Sequence, residues 1–208
     1  MPERLIKPVK DNTEKMETYR HWLGQYNKAV KCGCYHEALL IDYAMLEDRL
    51  KSLLYHMGAY YDRNSYKANK GKAVKYLREI VVQYKRNSED DGLNVSSISG
   101  KRKIIRSVLT WASETEYAGN DKYLRALKSQ CESIDTALVL QLFDEMEKWC
   151  DYRNEIIHAL MNKNIYSVTE ELAAKVEEGY RIARELDSQI RIFKKGGKVR
   201  KAAGLGND

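Results

Sequence analysis

The chain has 208 residues, of which 43% are apolar and 32% charged, and it carries a net charge of +6 at neutral pH. That mixture excludes a disordered polyelectrolyte, and the length suits one well-buried domain with appended helices. No run approaches the roughly 20 apolar residues that span a bilayer, so no membrane partner is expected. Met1–Lys10 lacks the apolar core of a secretory signal. The four cysteines, Cys32, Cys34, Cys131 and Cys150, have no spacing typical of a disulfide scaffold. A cytoplasmic chain with free thiols is the expectation.

Pro2 and Pro8 are the only prolines. The rest of the chain, rich in Leu, Lys, Glu, Ala and Arg, favours helices throughout, because proline breaks helix interiors and these residues suit them. In chain order, Asp11-x-x-Glu14 resembles a capping box and opens a first helix to about Lys31. Cys32-Gly33-Cys34 interrupts it. A second helix, about Tyr35 to Met57, is patterned by Leu39, Tyr43, Leu46, Leu50, Leu53, Leu54 and Met57 at helical spacing. Gly58–Lys70 reads as a turn or frayed helix, and a third helix follows near Lys72–Arg86. Asn87–Gly100, full of turn residues, reads as an exposed loop. Shorter helices are predicted over Lys103–Ala112 and Asp121–Glu132. Asp135 is positioned to cap a long helix to Met161, and Asn162–Tyr166 is a turn. Ser167-Val168-Thr169-Glu170 is a second capping box that opens a final helix to about Phe193. Gly196-Gly197 ends it. The expected fold class is all-α, an antiparallel helical bundle with residues 1–193 as one domain and 194–208 as a basic flexible tail.

Charge is unevenly distributed. Asp62–Arg106 holds 12 Lys/Arg against 5 Asp/Glu, and Lys194–Asp208 holds 5 against 1. Two such segments suit a polyanion-binding surface, although solvated lysine-rich helices look the same. Tyr66 beside Lys67, Lys70 and Lys72, together with Lys101, Arg102 and Lys103, are candidate RNA contacts: tyrosine rings stack on bases and cations hold phosphates.

The most informative segment is Trp149-Cys150-Asp151-Tyr152-Arg153-Asn154-Glu155-Ile156-Ile157-His158-Ala159-Leu160. At about 100° per residue, Met146, Trp149, Ile157 and Leu160 fall within about 40° of Arg153, so this arginine projects from the apolar stripe. Asn154 and His158 lie about 100° and 140° away, on a shoulder with Glu147 and Asp151. An arginine on a core-facing side needs a partner. Glu47 also emerges from an apolar face, that of the second helix, and is the candidate for a bidentate pair. A partner of water or backbone for Glu47 is the alternative.

Arg153-x4-His158, with the polar Asn154 directly after the arginine, resembles the signature of the HEPN superfamily, Arg-x(4–6)-His on a helix of a small all-α bundle. The likeness covers about Tyr35 to Phe193 as helix pattern, with the close match confined to this segment. Family members include toxins of toxin–antitoxin pairs, abortive-infection proteins and nucleases of RNA-targeting defence systems. The resemblance implies an HEPN-like core at about 35–193 and a metal-independent endoribonuclease with Arg153, Asn154 and His158 as catalytic residues; Glu47 and Asp151 are candidate supporting residues from their places on the helical wheels. It also implies a homodimer with two motifs facing each other, RNA as substrate and, for toxins, an antitoxin or regulatory protein. No cofactor or metal is expected. The alternative is a non-catalytic HEPN-like nucleotide- or RNA-binding or protein-interaction domain. One departure is Leu160, where toxins paired with nucleotidyltransferase antitoxins carry a modifiable tyrosine. A second literal match, Arg49-x6-His56, has Leu50 after the arginine and is set aside as coincidence. Cys32-Gly33-Cys34-Tyr35-His36 lacks the spacing of a zinc site.

Overall fold

The computed structural model describes residues 9–63, 68–84, 93–159, 162, 164 and 170–206. Among them the chain forms eight α-helices and one 3-10 turn, and no strand. The helices are α1 (Asn12–Lys31), α2 (Tyr35–His56), α3 (Lys72–Tyr84), α4 (Ile98–Glu114), α5 (Lys122–Glu132), α6 (Thr136–Ala159), α7 (Leu172–Phe193) and α8 (Lys198–Ala202). The 3-10 turn, Lys195–Gly197, joins α7 to α8. The predicted all-α bundle is what forms.

Helix starts follow side-chain chemistry. Asp11 accepts from Glu14 N at 2.9 Å, Asp121 accepts from Tyr123 N and Leu124 N, and Asp135 accepts from Leu138 N at 2.9 Å. Each satisfies amide donors that a first turn leaves without intrahelical acceptors. Gly33, at φ +71°, makes the tight turn from α1 into α2. Ser167–Thr169 of the second box and the predicted helix ends at Arg86 and Met161 lie outside the described residues. Glu170 is a turn residue, and the last long helix starts at Leu172, after Glu171, whose side chain makes no cap bond.

Helix α2 is the centre of the bundle and packs against α1, α4 and α7. Leu39, Leu46, Leu50, Leu53 and Leu54 are all sealed in the core. Each such side chain contributes about 1.5–3 kcal/mol of transfer free energy. Helices α6 and α7 meet at Trp149, whose Nε1 donates to Lys175 O at 2.7 Å. Gly179 allows that approach: a Cβ there would stand 2.7 Å from Trp149 Cε2.

Other predicted boundaries also differ from the structure. Helix α4 starts at Ile98 and not at Lys103, because Ser97 caps it by accepting from Gly100 N at 3.0 Å. The predicted exposed loop therefore ends at Ser97, three residues earlier than expected. The chain also stays ordered beyond Gly196-Gly197. These glycines, at φ +78° and +57°, fold the chain back so that α8 docks on α5. Arg200 of α8 is 2% exposed, so residues 194–206 are a packed segment, not a flexible tail.

Candidate functional site

The predicted motif occupies the last two turns of α6. Its upstream face is apolar: Leu142, Phe143, Met146 and Trp149 are fully buried. Arg153 continues that stripe where α6 reaches the edge of the bundle, so its side chain is half-buried. The guanidinium lies over the Tyr43 ring of α2, 4.4 Å from the centroid, and Nη1 donates to Asn154 Oδ1 at 3.1 Å. Its Nε is buried with no hydrogen-bond partner among the described residues. Asp151, Asn154 and His158 are exposed.

The predicted Glu47–Arg153 pair does not form. Glu47 accepts from Lys101 Nζ at 2.8 Å, and that amine also donates to Ser96 O at 3.2 Å. The cause is the earlier start of α4, which brings Lys101 onto a helix facing α2. Arg153 meets the π-face of Tyr43 in place of a carboxylate, a contact that an arginine accepts readily.

The predicted RNA-contacting cations do not make one strip. Lys101 and Arg102 are 3% and 5% exposed. Arg102 donates to Glu147 and to Phe143 O, so both cations brace α4 and are removed as RNA contacts. Lys72 is exposed and pairs with Asp121 at 2.6 Å. Lys70 and Lys103 are exposed, and Tyr66 and Lys67 lie outside the described residues. The Cys150 thiol beside the motif is pushed up to about 11, chiefly by burial, and so stays neutral and unreactive.

A second constellation was visible in the sequence only as the discarded Arg49-x6-His56. Seven residues are nearly two helical turns, so the two side chains leave α2 within about 20° of each other. Both line a cavity of 340 Å³ between α1, α2 and α7. A neighbouring cavity of 590 Å³, walled by the 3-10 turn and α8, shares Tyr55, His56, Arg63, Arg191 and Lys194 with it. Among the described lining residues of both, Asp187 is the single carboxylate, and it is already bonded to Arg49 and Arg191. Burial first, then the cations Arg63, Lys194, Arg200 and Lys15, push the His56 imidazole down to about 3. Burial, together with Arg191, Arg63 and Arg49, lowers Lys194 as well.

Among the described residues no group of three His, Cys, Asp or Glu side chains is placed to hold a metal ion, and no helix is long and apolar enough to cross a membrane. Compared with protein families, curated proteins and solved structures, the chain matches none.

Proposed function

We propose that the protein is a metal-independent endoribonuclease, a toxin or phage-defence effector of HEPN type, acting through Arg153, Asn154 and His158. The observation that carries the reading is the state of these three groups. His158 and Asn154 stand in solvent, beside an arginine that Tyr43 holds in place without neutralising it by a carboxylate. The resemblance of Arg153-Asn154-x3-His158 to the family signature supplies the rest.

The chemistry follows from the residue types. A ribose 2′-OH attacks the adjacent phosphorus, its proton passes to a base, and the 5′-oxygen leaves with a proton from an acid. Histidine titrates near neutrality and can serve either step. The Arg153 guanidinium offers paired N–H donors to the phosphorane oxygens. Asn154 orients the arginine through its Oδ1. A five-residue offset sets Arg153 and His158 about 140° apart around α6, so one copy does not aim both at one phosphate. Two copies facing each other would supply both, with one imidazole as base and the other as acid.

Incubating the pure protein with labelled RNA and excess EDTA tests the reading. The expected result is cleavage to 2′,3′-cyclic phosphate ends, abolished in His158→Ala with the fold intact. Cleavage of equal rate in that variant refutes the assignment. A second reading, a non-catalytic nucleotide- or RNA-binding module, is favoured by the cationic cleft lying apart from α6. Filter binding at two salt concentrations, with no cleavage in either, would select it.

A further inference from the structure

We propose that the cleft between α1, α2, α7 and the 3-10 turn is a binding site for a compact polyphosphate, two or three contiguous phosphates, free or at the 5′ end of a nucleotide. The ligand is a different species from the RNA strand proposed for α6, and no residue of α6 lines the cleft.

Size comes first. Cavities of 340 and 590 Å³ that share five lining residues fall in the range of small-molecule sites, roughly 300–1,000 Å³. Charge comes second. Arg49 and Arg63 approach from the α2 side, Arg191 and Lys194 from the end of α7, and Lys195 and Lys201 from the returning chain. Asp187 bonds Arg49 and Arg191, and Asp48, behind the lining, bonds Arg49 and Lys15; two carboxylates against this many cations leave the cleft with a net positive charge. Cations gathered at this density repel one another, and a bound polyanion relieves that cost. Planar guanidinium forks suit phosphate oxygens, and lysines add mobile point charges.

The backbone holds these cations together. Gly196 and Gly197 take left-handed φ values and turn the chain sharply after α7. The turn is locked from behind by Arg200. Its guanidinium donates to Tyr55 O, Tyr60 O, Tyr61 O and Gly206 O, and lies 3.7 Å from the Tyr55 ring centroid. The wall carrying Lys195 and Lys201 is therefore tied to the end of α2, where His56 sits. Held neutral by its surroundings, His56 offers hydrogen bonding without demanding a counter-ion.

The aromatic faces decide between a polyphosphate and an RNA strand. Arg49 covers Tyr19 at 4.6 Å, and Arg63 and Arg200 lie over Tyr55 at 5.3 and 3.7 Å. Tyr55 is buried under its two guanidiniums and Tyr19 carries Arg49 on one face, so neither ring stands open on both sides to a base. Single-stranded RNA is held largely by such stacking. Recognition here is by charge and by the fork geometry of arginine.

Isothermal titration of the full chain with inorganic triphosphate, with ATP and with a twelve-nucleotide single-stranded RNA tests the proposal at physiological salt. Triphosphate is expected to bind, and Lys194→Gln/Lys201→Gln, which changes two exposed side chains, to weaken it about tenfold. Lys31→Gln/Lys122→Gln carries the same charge change away from the cleft and is expected to leave binding as it was. Binding of both triphosphate and ATP supports the free phosphate chain as sufficient, and binding of ATP alone supports the nucleotide as the source. No binding of either, equal weakening in the two double variants, or displacement of triphosphate by the RNA each overturns the proposal. His158→Ala is expected to bind triphosphate unchanged, so failure at α6 and failure at the cleft are read separately.

Discussion

Asp42 makes the sharpest test of the physical reasoning. It lies on α2 with 0% of its surface exposed, and neither carboxyl oxygen has a hydrogen-bond partner among the described residues. Burial pushes its carboxyl from 3.8 up to about 8. The folded state therefore keeps a proton that the unfolded chain releases above about pH 4. Stability due to this group is fully present below that pH and is lost as pH rises toward 8, at about 1.4 kcal/mol per unit. His56 acts in the opposite sense. Its folded value is depressed from 6.5 to about 3, so the stability it contributes is present above pH 6.5 and lost as pH falls through that interval. The two slopes cancel between about pH 4 and 6.5 and leave Asp42 alone from pH 6.5 to 8, where the loss comes to about 2 kcal/mol. Replacing Asp42 with Asn keeps the shape and removes the titration. At pH 7 the variant escapes a penalty of roughly 4 kcal/mol, which at about 2–4 °C per kcal/mol is a rise in Tm of order 10 °C. Urea unfolding of both proteins at pH 5.5, 6.5, 7.25 and 8 measures it. Parallel curves for wild type and Asp42→Asn, or a variant less stable at pH 8, would refute the account of a lone buried carboxyl.

Gly179→Ala places a methyl group 2.7 Å from Trp149 Cε2, and the indole is pinned by its bond to Lys175 O. Overpacking of this kind costs about 1–3 kcal/mol, and a thermal melt with an unchanged Tm would show that α6 and α7 can move apart freely. If the α6 motif cleaves RNA as a facing pair, the specific rate should fall when the protein is diluted below its dimer dissociation constant. A specific rate independent of dilution, from a species sedimenting as a monomer, would remove the composite site.

The main frame of the fold was legible because it rests on local rules. Asp11, Asp121 and Asp135 announce helix starts by their chemistry, and the leucine stripe of α2 gives its buried face. The boundary before α4 was not legible, because Ser96, Ser97 and Gly100 have turn composition while Ser97 acts as a cap. The docking of α8 was hidden for a different reason. Its anchor is a guanidinium bonded to backbone carbonyls of residues some 140 positions earlier, and no periodicity encodes such contacts. The partner of Glu47 failed for a related reason: a helical wheel gives the face from which a side chain leaves but not the neighbour that meets it. Lys101 meets it, from a helix whose start at Ile98 is masked by turn-forming residues.

The two Arg–His combinations differ in one integer, and the difference has geometric force. An offset of seven residues displaces Arg49 and His56 by about 10 Å along α2 and by only about 20° around it, so one copy of the chain presents both to one cavity. An offset of five displaces Arg153 and His158 by about 7.5 Å and about 140°, so the pair faces two directions. The first arrangement suits holding a short run of phosphates within one copy of the chain. The second suits sharing a substrate with another surface, and the exposure of His158 leaves it available to one. Spacing in sequence thus bears on chemistry through the helix that carries it. The α2 match, weaker as a motif because Leu50 follows its arginine, is the one whose side chains converge on a single cavity.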